Sequence, residues 1–239
     1  MKVAMMQPTF LPWQGYFGLI YRADCFIFLD DFQFSVQSYH QRNRLFVNHD
    51  QVGWYTVPIK KSNSFGVELN NTSFDESRNW RKKLTQRLQQ NYSKTSFYDN
   101  VFPSISEIIN DRVDDLSTLN IKLIKAIVEL FGWEKVWKLS SSLPTKSTRS
   151  ERVLELLKWS EASHYYAAGG SFDYMKEDNI FPVPNIEILF QKFHIEGYLQ
   201  KNSSIGFVPS LSVLDALFNI GPEDTARIIT DNDNCEIWE

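Results

Sequence analysis

Residues 2–31 read KVAMMQPTFLPWQGYFGLIYRADCFIFLDD, and the fold follows from this stretch. Lys2 to Met6 is a short apolar run halted at Gln7-Pro8, where proline disfavours helix in the residue before it; this is a strand and then a loop. From Pro12 to Ala23 the apolar residues Trp13, Tyr16, Phe17, Leu19 and Ile20 recur at spacings of three and four, with Pro12 suited to a first helical turn. Cys25 to Leu29 is a run of five apolar residues closed by Asp30-Asp31, the length and composition of a buried strand. A strand-helix-strand unit with so short a crossover favours adjacent parallel strands. The right-handed connection then brings both carboxyl ends to one sheet edge. Gln7 and Asp30 become neighbours there, where open α/β sheets bind their ligands.

Outward from this unit the pattern continues as α/β. Leu45 to Val47 and Gly53 to Ile59 predict a hairpin, 75–92 a polar amphipathic helix, and 97–132 two more helices, the second running from Leu116 to Leu130 and ending near Gly132. Trp133 to Leu139 is a candidate strand, Glu151 to Ala162 a helix, and His164 to Ala168 a strand ending in Gly169-Gly170. Ile186 to His194 is strand-like, and Leu211 to Phe218 is a helix that stops at Asn219-Ile220-Gly221. The expected architecture is a Rossmann-like, mostly parallel sheet built on the N-terminal unit, with a helical C-terminal part. An N-terminal α/β part, 1–135, carries the main polar site and 136–239 packs on it, with one domain over 1–239 as the alternative.

At 239 residues with 43% hydrophobic and 23% charged residues, the chain has the composition of a folded protein. A net charge of −4 supplies no general attraction for a nucleic acid polymer, although a nucleotide borne by a small substrate stays open. Arg78, Arg81, Lys82, Lys83 and Arg87 recur at helical spacing, which describes a solvated helix face. Cys25 and Cys235 lie far apart and outside any CxxC pattern, and no dense ligand spacing suggests a metal. With no apolar stretch of membrane-spanning length, a cytoplasmic protein without membrane insertion is expected.

The chemistry-bearing residues concentrate early. Gln7 ends a buried strand with an amide able to donate and accept. Asp30 and Asp31 end the next. Since adjacent residues of an extended chain face opposite ways, one of them looks into the cleft, and Asp30 is favoured, as a base or a hydroxyl ligand, with a structural cap of equal weight. Tyr39 to Arg44 gathers His40, Arg42 and Asn43, and an arginine fork suits a phosphate or carboxylate. Ser140 to Ser142, Lys146, Ser150 and Arg152 form a second polar loop, read either as a solvated connection or as part of the same cleft.

These residues resemble the WbqC-like protein family. The resemblance rests on Gln7-Pro8, Leu11-Pro12-Trp13, Gly15-Tyr16-Phe17, Leu29-Asp30-Asp31 with Gln33-Phe34, and Arg42-Asn43-Arg44. It continues through Val57 to Lys61, Gly169-Gly170, Tyr198 with Gln200, and Leu211 to Gly221. It implies work in bacterial O-antigen or surface polysaccharide production: a transferase placing an acyl or aminoacyl group on the amine of a nucleotide-linked amino sugar, with an acyl or peptidyl carrier protein as a candidate donor. No cofactor is expected. Asp30 and His40 are the candidate catalytic residues. Gln7, Tyr16, Asp31, Gln33, Arg42, Asn43, Lys60, Gly169, Gly170, Tyr198 and Gln200 are the candidate substrate ligands. His40-Gln41 departs from the family's aromatic residue followed by Gln or Asn, so His40 rests on local chemistry alone. A nucleotidyltransferase-like enzyme and a non-catalytic glycan-precursor binding module are the alternatives.

Overall fold

Strand β1 (Lys2–Met6), helix α1 (Gln14–Arg22) and strand β2 (Cys25–Phe28) form the expected unit in a computed structural model. It describes residues 1–63, 66–145 and 147–238, and of Asn63 the main chain alone. Val3 pairs with Cys25 and Met6 with Phe28 in parallel register. The pleat sends Val3, Met5, Cys25 and Ile27 into one apolar cluster and Ala4, Phe26 and Phe28 into another, so both sheet faces are covered. Helix α1 buries Tyr16, Phe17, Leu19 and Ile20 on the second face.

After β2 the chain leaves the sheet. Strands β3 (Arg42–Asn48) and β4 (Gln51–Thr56) pair antiparallel as a separate hairpin. Helices α2 (Trp80–Tyr92), α3 (Tyr98–Asn110) and α4 (Leu116–Leu130) follow, with Asp115 capping α4 by accepting from Thr118 N–H at 2.8 Å. Strand β5 (Val136–Leu139) returns to lie beside β2. Helix α5 (Arg149–Trp159) then carries the chain across to β6 (His164–Ala167), on the far side of β1. Helix α6 (Phe172–Asp178), β7 (Glu187–Phe193), α7 (Val213–Asn232) and β8 (Asp233–Ile237) complete the chain.

The six-stranded sheet has the order β5-β2-β1-β6-β7-β8, parallel except for β8, which pairs antiparallel with β7. This is an α/β fold with a mostly parallel sheet and a helical C-terminal part. Its strands come from both sides of residue 135. The chain runs outward from β1 through β2 to β5 and then resumes on the opposite side at β6, so the direction of strand order reverses between β1 and β6. A crevice opens at the carboxyl ends of strands at such a reversal, because the loops that follow them part to opposite faces.

Two elements depart from the sequence reading. The helix expected to stop at Gly221 is broken there (φ 82°, ψ 172°) and then resumes through Pro222 to Asn232. Proline suits the first turn of the resumed segment, and burial of Thr225, Ile228 and Ile229 holds that segment on the core. The polar tail containing Cys235 is strand β8. Its first residue, Asp233, is buried and accepts from Arg22 Nε and Gln191 Nε2, both at 2.5 Å, which anchors a strand that hydropathy does not announce.

Candidate functional site

The loop from Gln7 to Trp13 is pinned by amides. Asn43, on β3, donates to the carbonyls of Phe10 at 3.2 Å and Leu11 at 2.8 Å. Asn120, on α4, donates to the carbonyls of Pro8 at 2.9 Å and His40 at 2.8 Å. Phe10 N–H reaches the Tyr39 carbonyl at 2.9 Å. The loop and the 38–43 segment are thereby held face to face. Trp13 folds back over Gly15, where any Cβ would stand 2.3 Å from its ring and force the ring to move.

Between these segments lies a pocket of about 440 Å³ at the carboxyl end of β1, beside the reversal of strand order. Trp13, Tyr16 and Tyr39 supply aromatic walls, and Gln7, Thr9, Ser38, His40, Asn43 and Ser210 supply polar groups. No Asp, Glu, Lys or Arg lines it among the described residues. Tyr16 donates its hydroxyl to the Gln7 carbonyl at 3.1 Å, and burial pushes that phenol well above its ordinary range. The Gln7 side-chain amide has no hydrogen-bond partner among the described residues. It therefore faces the pocket with a donor and an acceptor to offer.

His40 is buried, and its Nδ1 accepts from Ser35 N–H at 3.2 Å. That bond leaves the proton on Nε2. Burial lowers the imidazole to about 4, so it is neutral near pH 7 and acts as a hydrogen-bond donor with no free lone pair. Arg42 does not line the pocket, and its guanidinium carbon lies 4.2 Å over the Trp54 ring. Trp54 in turn lies 5.9 Å from Tyr39 of the pocket wall. No carboxylate pairs with Arg42 among the described residues, and its Nε is buried without a partner.

The other sequence candidates lie elsewhere. Asp30 and Asp31 follow the end of β2 in a turn, so the alternation of an extended chain does not apply, and both carboxylates face the 140–152 segment. Asp30 accepts from Ser140 Oγ at 3.1 Å, Ser141 N–H at 3.0 Å and Ser141 Oγ at 2.6 Å. Asp31 accepts from Ser140 Oγ and from Arg152 Nη2 at 2.9 Å. Ser150 donates to Asp178, and Lys146 lies outside the described residues. Gln33 is exposed and forms a bridge with Glu68. Lys60 lines a different cavity. Gly169 lies against the Gln191 carbonyl, 2.8 Å from where a Cβ would stand, and Gly170 faces open space. Tyr198 Oη and Gln200 Nε2 both donate to Asp215, at 2.7 and 2.8 Å. Thr9, Ser38, Ile195 and Asn120 were missed. Asn120 carries no local signal, because a buried amide inside a helix is recognised only by the distant carbonyls that it meets.

The model of the WbqC-like protein family matches residues 7–227. The chain belongs to the WbqC-like protein family. It is 30% identical over 224 residues to an uncharacterized protein of Mycobacterium tuberculosis, Rv1507c, a match covering 93% of this chain and 95% of that one. No solved structure matches it. Among the described residues no group of His, Cys, Asp and Glu is placed to hold a metal ion, and no helix is long and apolar enough to cross a membrane.

Proposed function

We propose that this WbqC-like protein is a transferase that binds a nucleotide-linked amino sugar at the carboxyl end of β1 and acylates its amine in surface polysaccharide synthesis. The observation that carries the reading is the unpaired Gln7 amide in an uncharged, aromatic-walled pocket at the reversal of strand order. Aromatic faces cover the apolar face of a pyranose while neutral amides and hydroxyls read its hydroxyl groups. Arg42, on its Trp54 platform, contacts a phosphate or carboxylate of the same ligand.

In this reading the sugar amine attacks the carbonyl of an activated acyl or aminoacyl donor, such as a carrier-protein thioester. The C–N bond forms as the C–S bond breaks, and the amine proton leaves to the departing thiolate or to water. His40, neutral and protonated at Nε2, donates to the oxygen on which charge develops, a role that needs no basic imidazole. Asp30 is then a positioning residue that holds the loop after β5. The test is purified protein with nucleotide-linked amino sugars and an acyl donor, scored by mass. Formation of the amide supports the reading, and its absence across donors and sugars refutes transfer. Gln7→Ala is expected to weaken sugar affinity about tenfold while shifting stability by less than about 0.5 kcal/mol, because its amide has no protein partner to lose.

A binding module is the second reading. It is favoured by the occupied oxygens of Asp30 and the neutral His40, which leave no evident base. Sugar binding without turnover would select it.

A further inference from the structure

A second cavity, a groove of about 390 Å³, runs between the end of β4 and helix α2. Its floor is Tyr55 and Trp80, both buried, and the indole N–H of Trp80 has no partner. Arg78, Lys83 and Arg87 line its rim, and no carboxylate among the described residues does so, in a chain whose net charge is −4. Trp80, Lys83 and Arg87 stand three and seven residues apart, on one face of α2. Lys83 has no ion-pair partner among the described residues. Arg87 gives one N–H to the Trp54 carbonyl at 3.3 Å and lies 4.7 Å over the Tyr55 ring, which leaves most of its donors free. Arg78 holds Asp75 at 3.1 Å on an exposed flank. Like charges at i and i+4, as at Lys83 and Arg87, destabilise a helix unless an anion lies between them. The neighbouring cavity around Lys60 differs. It contains Glu76 and Asp114 as well as cations, and its Arg81 is spent on Glu76 and on the carbonyls of Ile109 and Asp111.

We propose that this groove is a binding site for a small organic phosphate. Lys83 and Arg87 take the phosphate oxygens, Arg78 neutralises the remaining charge, and the Tyr55–Trp80 floor meets the organic part. The groove and the pocket meet neighbouring residues of one segment. His40 lines the pocket while its neighbour Gln41 lines the groove, donating to the Val57 carbonyl at 3.2 Å.

Titration of the full chain with pyrophosphate, followed by calorimetry and by the indole N–H resonance of Trp80 assigned with Trp80→Phe, tests this. Saturable binding is expected, moving the Trp80 resonance, weakening as salt rises, and weakened at least about tenfold by Lys83→Gln with Arg87→Gln. Lys60→Gln with Lys82→Gln, and separately Gln7→Ala, leave it unchanged. Lys60, Lys82 and Lys83 are exposed and Arg87 is half-buried, and unchanged melting curves show that both paired variants fold. No saturable binding up to about 10 mM pyrophosphate would overturn the proposal, as would binding abolished by the Lys60 and Lys82 pair but kept by the groove pair. Because Gln7→Ala reports on the pocket alone, failure here is distinct from failure of the transferase reading.

Discussion

At the scale of single residues, His40 shows how burial can reverse a chemical role. Its residue type suggests a base, yet burial lowers the folded imidazole from 6.5 to about 4 while Ser35 N–H occupies Nδ1. The unfolded chain therefore binds a proton between those values that the folded chain does not. Stability from this group is full above pH 6.5 and is lost as pH falls toward 4, by at most about 3 kcal/mol. His40→Gln is expected to flatten this part of the stability profile, measured by urea unfolding from pH 4 to 7. An unchanged slope would show that His40 is not the group responsible. Gln7 is the converse case. Its position at a strand end was legible in sequence, and the structure added that its amide is left without a partner.

At the scale of elements, the Asp30-Asp31 turn and the start of α5 lock two strand ends together. Arg152, with 5% of its side chain exposed, donates to Asp31 and to the carbonyls of Ser140 and Leu143. Arg152→Ala leaves a partly buried carboxylate and two carbonyls without their donor, and is expected to cost about 3 kcal/mol in chemical unfolding. A cost below about 1 kcal/mol would mean that water replaces the guanidinium and that the lock is weak. Hydrophobic period located β2, β5 and α5 separately from the sequence. That the two aspartates face the same loop was not legible, because it depends on the chain having left extended geometry after Phe28.

At the scale of the whole molecule, the sheet is closed at one edge by β8 through Asp233, which is fully buried and held by Arg22 and Gln191. Gly18 makes this possible, since a Cβ there would come within 2.7 Å of the Asp233 carboxylate. Asp233→Asn is expected to lower stability by about 2 kcal/mol and to speed hydrogen exchange in β8 ahead of β1; uniform exchange across the sheet would contradict an edge-specific role. By itself the sequence determined the α/β class, the β1-α1-β2 unit and the strand-end placement of Gln7, because hydrophobic period and proline position are local quantities. Only the tertiary structure decided that β6 lies across β1 from β2, which creates the crevice, and that Gln7, Tyr16, His40 and Asn43 share one pocket while Lys60, Gly169, Tyr198 and Gln200 do not. Those facts depend on which distant carbonyls, carboxylates and apolar faces meet when the core closes, and no window of residues contains that information.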